Sequence, residues 1–259
     1  MGVVGGDGAI PDAELRNAEA LFFVEDLEHP VMRDEDTHHL VDVLRPRVGQ
    51  YFALSDGRGS WRKALIVSLP KTPRRSREIG RTGEELVFET GPMNFSHVGT
   101  GVELIVAFAM PKGERLDLIV QKLTELGIDQ IVPLVTRRTV VRLGEKDRAR
   151  RKERLVRVAR EACSQSRRLN LPLVTEPETL EQFLKHAPQH TVFAEPGGAP
   201  LDATVCCVII GPEGGFDPGE VPKSARRLGL GPNVLRVETA AISVATLMSA
   251  MRSGVIGAC

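Results

Sequence analysis

Ile209-Ile210-Gly211-Pro212-Glu213-Gly214-Gly215-Phe216 sets three glycines, a proline and a carboxylate directly behind an apolar run. About twenty residues later comes Leu235-Arg236-Val237-Glu238-Thr239-Ala240. Glycine has no Cβ, so it permits positive φ and lets the main chain come close to a ligand, while Pro212 fixes the direction of the turn. The chemistry on offer is recognition of a small molecule by backbone amides and carbonyls. A bare strand-to-helix connection uses the same residue types, and Glu213 can equally cap the next helix or bind its own turn. What favours a pocket is the run at 205–210. It reads as a strand buried in a parallel sheet, and open α/β sheets bind ligands at the carboxyl ends of such strands.

The elements that must position these segments follow from periodicity. Residues 102–108 are an apolar run of strand length. Across 113–127, Leu116, Ile119, Val120, Leu123 and Leu126 recur at helical spacing, and Gly127 is a stop. Strands are expected at 131–135, 192–194, 205–210 and 234–237. Helices are expected at 146–168, 218–228 and 239–251. Strands alternating with helices imply an α/β domain with a parallel sheet covered on both faces. The earlier segment, 21–88, has short alternating stretches, and Asp56-Gly57 between residues 51–54 and 61–69 is a hairpin signal. This part reads as a small β-rich domain. Residues 71–83 read as a polar basic connection and 91–101 as a linker.

Composition bounds the function. A chain of 259 residues with 42% hydrophobic and 26% charged residues is an ordinary globular protein of one or two domains. Four cysteines without a CxxC pair indicate neither a disulfide framework nor a zinc site. His38-His39 diverge on a helix or a strand, and no HExxH accompanies them, so no metal is expected. No GxxxxGK[ST] phosphate loop is present, and Ala109-Met110-Pro111-Lys112-Gly113 lacks the glycine fingerprint of a dinucleotide fold. The start of the chain has no basic-then-apolar leader pattern, and Arg252 interrupts the apolar stretch 240–258. A cytoplasmic protein with no membrane partner is expected.

The charge total, 34 basic against 34 acidic, hides segregation. Residues 45–81 hold ten Lys/Arg against two acids, and 137–168 hold thirteen against four. Residues 1–36 reverse this, with ten acids against two arginines. Two separate basic blocks are either solvated faces or a nucleic-acid surface.

Several motifs then occur together in order. They are Lys112-Gly113-Glu114-Arg115-Leu116, Gln121-Lys122-Leu123-Thr124-Glu125-Leu126-Gly127, Ile131-Val132-Pro133-Leu134, Glu161-Ala162-Cys163-Ser164-Gln165-Ser166-Arg167-Arg168, and the two segments above. With His38-His39-Leu40, Leu44-Arg45 and the Asp56-Gly57 turn, the chain resembles the RsmE family of ribosomal RNA methyltransferases, in the SPOUT superfamily. The resemblance implies a SPOUT domain at 100–259 with a deep C-terminal trefoil knot. A small PUA-like β-barrel RNA-binding domain at 20–92 would precede it, and the protein would be a homodimer.

The implied reaction is methylation of N3 of one uridine in 16S ribosomal RNA of the small ribosomal subunit, with S-adenosylmethionine as donor. The resemblance places the cofactor against Leu134, Glu195, Pro196, Gly211, Pro212, Gly215, Leu230, Gly231, Leu235, Thr239 and Ala240. Arg138, Arg168, Arg236 and Glu238 are the catalytic candidates, and Arg45, Glu161 and Gln165 the substrate-binding ones. The acceptor of the N3 proton is a carboxylate such as Glu238, or a water. Asn233, Ser164 and Arg167 depart from the family pattern, standing where arginine, glutamate and glycine are common. Two rivals stand beside this reading: another SPOUT RNA methyltransferase, such as a ribose 2′-O-methyltransferase, and a non-catalytic RNA-binding assembly factor.

Overall fold

The computed structural model describes residues 13–70, 86–95, 101–111, 115–138 and 144–257. The chain divides into two compact units. One holds residues 9–98 with 163–170, and the other holds 99–162 with 171–259. The sequence-derived connection at 71–83 lies outside the described residues.

The N-terminal unit runs α1 (Ala13–Asn17), β1 (Leu21–Phe23), α2 (Asp34–His38), a π-helical turn (His39–Leu44), β2 (Tyr51–Ser55), β3 (Ser60–Ser68) and β4 (Val87–Phe95). The strands form one mixed sheet in chain order, with β1 parallel to β2 and the remaining pairs antiparallel. Asp56 closes the expected hairpin by accepting from the amides of Arg58 (2.7 Å) and Ser60 (3.1 Å). Phe52 lies at its core, edge-on to Phe22 and Phe88 with ring centroids 5.8 and 5.2 Å away. Strand β4 continues to Phe95, so residues 91–95 are sheet where a linker was expected. Antiparallel pairing with β3 overrides the turn character of Gly91 and Pro92. Among the described residues β1 and β4 are not paired, so the expected barrel is there a four-stranded sheet.

Arg167 adopts the left-handed conformation, φ 57°, inside this unit. Its guanidinium donates to the carbonyls of Ser164 (2.8 Å), Ala18 (2.7 Å) and Glu19 (3.3 Å).

The C-terminal unit runs β5 (Ile105–Ala109), α3 (Arg115–Glu125), β6 (Gln130–Val135), α4 (Glu145–Ser166, whose residues from Cys163 on belong to the other unit), β7 (Leu173–Val174), β8 (Glu178–Thr179), α5 (Leu180–Leu184), β9 (Thr191–Ala199), β10 (Cys207–Ile210), β11 (Arg226–Leu228) and α6 (Val237–Arg252). Its parallel sheet has the order β11-β9-β10-β5-β6-β7, with β8 also paired to β6. Alternation along β5 decides what each face covers. Val106 and Phe108 pack with Leu116, Ile119 and Leu123 of α3 and Ala241, Val244 and Met248 of α6. Ile105 and Ala107 pack on the other side with Leu180 and Phe183 of α5 and Ile209 of β10.

Two expectations fail here. Residues 218–225 form turns leading into β11 rather than a helix, because Pro218, Gly219 and Pro222 break helical hydrogen bonding. Residues 234–236 are irregular, and α6 already starts at Val237; the β-like run at 234–237 is its extended approach.

The far end of α6 is tied back to the sheet. Arg252 pairs with Asp129 Oδ2 through Nη1 and donates from Nη2 to the Gly127 carbonyl at 2.5 Å. Asp129 Oδ2 also accepts from the amide of Leu104 at 2.9 Å.

Candidate active site

Strand β10 delivers the chain into the glycine turn at Gly211. The amide of Gly215 donates to the carbonyl of Pro212 (2.8 Å), and Gly215 takes φ 71°, which a side chain resists. At Gly211 the reason for glycine is different. A Cβ there would lie 2.7 Å from the ring of Phe216, which folds back over the turn and meets Phe193 edge-on at 5.6 Å.

This turn is one wall of a cleft of about 550 Å3, within the range of small-molecule sites. A second wall is the later part of β9, with Glu195 and Pro196. A third is the connection from β11 to α6, with Leu230, Gly231, Leu235 and, inside the helix, Ala240. Glycines also permit the close approach of β9 and β11. A Cβ on Gly198 would lie 2.5 Å from the backbone of Leu228 and 2.6 Å from that of Gly229.

Of the cofactor residues expected from sequence, Glu195, Pro196, Gly211, Pro212, Gly215, Leu230, Gly231, Leu235 and Ala240 line the cleft. Leu134 and Thr239 do not: Leu134 is buried in the apolar layer below β6, and Thr239 is exposed on the first turn of α6. Sequence reading missed Arg227, which lies in the cleft wall, pairs with Glu195 Oε2 at 2.5 Å and stacks over Phe193 at 5.7 Å. It was hidden in the residues assigned to a helix.

Charged groups brace the turn. Arg138 donates from Nε to Asp217 Oδ1 at 2.6 Å and from Nη1 to the Gly214 carbonyl. Glu220 accepts from the amides of Arg137 and Asp217, each at 2.9 Å. On another side Arg115, the first residue of α3, lies 3.8 Å from Glu213 and 3.7 Å from Glu238. Glu238 occupies the first turn of α6, where the helix dipole favours a negative charge. Its Oε2 is shielded from solvent and has no hydrogen-bond partner among the described residues. Arg236, the N-cap of α6, is exposed, and no side-chain cap bond forms there.

The remaining candidates divide between the units. Glu161, exposed on α4, belongs to the C-terminal unit, whereas Arg45, Gln165 and Arg168 belong to the N-terminal one. Arg45 ends the π-helical turn at φ 52° and donates from Nε to the Asp42 carbonyl at 3.1 Å. Arg168 is half-buried beside Cys163, whose carbonyl accepts its amide at 3.0 Å. Burial pushes the Cys163 thiol up to about 11 and Cys207 up to about 12, so neither is a nucleophile at neutral pH. No metal-binding cluster occurs among the described residues.

A chain with a glycine-turn cleft at the carboxyl end of a parallel sheet, and with a small β domain earlier in its sequence, matches known proteins along most of its length. Residues 100–249 match the RNA methyltransferase domain family, and residues 33–73 match the RNA methyltransferase PUA domain. Ribosomal RNA small subunit methyltransferase E of Rickettsia conorii is 32% identical over 225 residues, covering 81% of this chain and 84% of the relative. The protein of that name from Bacillus subtilis is 28% identical over 240 residues, 83% of this chain and 87% of the relative. A putative methyltransferase of Legionella pneumophila, solved with bound S-adenosylmethionine, superposes with a TM-score of 0.72 at 26% identity, covering 89% of this chain and 96% of that one. The fold is thus that of an RNA methyltransferase domain following a PUA-like domain in the chain. Within that class the chain belongs to the ribosomal RNA small subunit methyltransferase E family.

Proposed function

We propose that this protein transfers the methyl group of S-adenosylmethionine to N3 of one uridine in 16S ribosomal RNA of the small ribosomal subunit. The observation that carries the reading is the backbone-lined cleft between the glycine turn and the start of α6. The name of the relatives, which specifies the ribosomal small subunit, and the cofactor bound by the Legionella neighbour both support it.

The residues present suit that cofactor. Ala194, Ile210, Leu230 and Leu235 offer apolar surface for a purine, and the main-chain groups of the turn offer partners for hydroxyl and amino groups. Glu195, Pro196, Gly211, Pro212, Gly215, Gly231 and Ala240 complete the site, and Leu134 and Thr239 lie outside its lining. When bound, the cofactor supplies a methyl group on a sulfonium, an electrophile open to in-line displacement.

The chain's own task is to align uracil N3 and manage its proton. N3 is a poor nucleophile until that proton leaves, so either an acceptor or cations that stabilise the developing anion are required. Glu238 is our candidate acceptor, directly or through water. Arg236 and Arg138 are the candidate cations near the cleft, and Arg45, Glu161, Gln165 and Arg168 hold the RNA. The same reading includes the trefoil knot formed by residues 211–216 and 235–240, domains at 20–92 and 100–259, a homodimer, and a cytoplasmic location.

Methyl transfer to small ribosomal subunits from a strain lacking the enzyme, followed by nucleoside mass spectrometry, tests the proposal. N3-methyluridine is the expected product. Ribose-methylated nucleosides alone would overturn the site of transfer, and no cofactor-dependent product would overturn the activity.

A further inference from the structure

We infer that Arg115 is a positioning residue that links the glycine turn to the first turn of α6 and holds the two at a fixed separation. This rests on the reading of the cleft as the cofactor site. Three observations carry it.

First, Arg115 is shared. Its Nη1 lies 3.8 Å from Glu213 Oε1 in the turn, and its Nε lies 3.7 Å from Glu238 Oε1 on α6. Glu213 lines the cleft, and Glu238 sits in the first turn of α6, whose Ala240 lines it; without the cation between them their like charges repel. Second, Arg115 is anchored by a separate element, because it opens α3, whose apolar face packs on Ala241, Val244 and Met248 of α6. The next residue, Leu116, is buried in the core with Ile119 and Leu123. The guanidinium therefore reaches both carboxylates from the start of α3. Third, Glu238 is held on one side only. Its Oε1 faces Arg115, while Oε2 is shielded from water and without a partner among the described residues. A buried carboxylate oxygen left bare is costly, and a single cation at its twin is what keeps the group oriented.

A planar guanidinium can address two carboxylates through different nitrogens, whereas an ammonium is one point charge on a flexible stem. The inference therefore predicts poor replacement by lysine. It also predicts coupling: once Glu213 and Glu238 are neutral, Arg115 has nothing left to hold.

The test compares wild type, Arg115→Ala, Arg115→Lys, the double variant Glu213→Gln/Glu238→Gln and the triple variant, by two measurements. Hydrogen exchange in the cofactor-free protein should rise about threefold to fivefold in Arg115→Ala at the amides of Glu213 to Phe216 and of Val237 to Ala240. Strand β6 should stay unchanged, which shows that the fold is intact. S-adenosylmethionine affinity by calorimetry should fall about threefold to fivefold in Arg115→Ala and recover less than half of that in Arg115→Lys. Adding Arg115→Ala to the double variant should cost nothing further. Unchanged exchange in the turn and in α6, or equal losses from Arg115→Ala with and without the carboxylates, would overturn the inference. If wild type itself binds no S-adenosylmethionine, the proposed function fails, and the exchange comparison still decides the role of Arg115.

Discussion

Arg138 Nε lies 2.6 Å from Asp217 Oδ1, and the same guanidinium reaches the Gly214 carbonyl, so this arginine is joined to the glycine turn at two points. Read from sequence, Arg138 was a candidate for phosphate or uracil. Its contacts give it a second task, holding the turn. Arg138 is 44% exposed on its side chain, and a solvent-screened pair of this kind is worth about 1 kcal/mol. Arg138→Ala and Asp217→Asn should both weaken S-adenosylmethionine binding roughly fivefold, measured by calorimetry. An Arg138→Ala protein that binds cofactor normally and loses only RNA methylation would assign the residue to RNA alone.

Two glycines in this unit differ in what surrounds them. A methyl at Gly211 meets the ring of Phe216, which can turn away, whereas a methyl at Gly198 meets the backbone of Leu228 and Gly229, which cannot. Gly211→Ala should therefore cost about 1–3 kcal/mol, as overpacking does, and mainly reduce cofactor affinity. Gly198→Ala should be the more damaging of the two to folding. Urea denaturation that ranks them the other way would refute the steric account.

Arg167 occupies a left-handed position, which suits glycine, and offsets the strain with three side-chain bonds to carbonyls. Arg167→Gly relieves about 1 kcal/mol of strain but loses bonds worth about 1.5–3 kcal/mol. Arg167→Ala loses the bonds and keeps the strain. Melting temperatures should rank arginine above glycine above alanine. A glycine variant more stable than wild type would show that the bonds contribute little.

Burial raises the thiols of Cys163 and Cys207, to about 11 and about 12, above the ordinary value of 9.0. Groups raised on folding contribute stability that is complete below the unfolded value and lost as pH climbs through the folded one. Stability should thus decline from about pH 9 upward, and Cys163→Ala with Cys207→Ala should flatten that decline. Rapid labelling of either thiol in native protein at pH 8 would contradict it.

Arg168 belongs to the N-terminal unit and the cleft to the other. Arg168→Ala should therefore reduce RNA methylation by an order of magnitude or more while cofactor affinity is kept, and equal losses would show the role to be misplaced. RNA binding should also weaken steeply with salt, because basic side chains displace counterions from phosphates. A flat salt response would exclude the basic blocks as the RNA surface.

Which parts could be read from sequence follows from the range of the interactions that determine them. Leu116, Ile119, Val120 and Leu123 announce α3 because one buried face imposes its period. The strand at 205–210 and the turn after it were legible because apolar run and glycines are neighbours. Residues 218–228 misled because Val221, Ala225 and Leu228 have helical spacing, yet two prolines and Gly219 favour turns, and pairing with β9 claims Arg226–Leu228 as strand. The partners of Arg115, Arg138 and Arg227 were invisible for another reason. Each joins segments 32 to 123 residues apart, close only once the sheet has formed.

The clasp from Arg252 to Asp129 and Gly127 has a kinetic consequence. It joins the end of α6 to the start of β6, 123 residues earlier, and α6 also supplies much of the core over β5. During synthesis β5, α3 and β6 emerge long before β10 and α6 exist, leaving a central strand with one open edge and one bare face. Such species are slow to complete and prone to aggregate. For this unit the late helix, rather than the early strands, sets when folding can finish, and nascent chains ending before residue 237 are where a chaperone would be most needed.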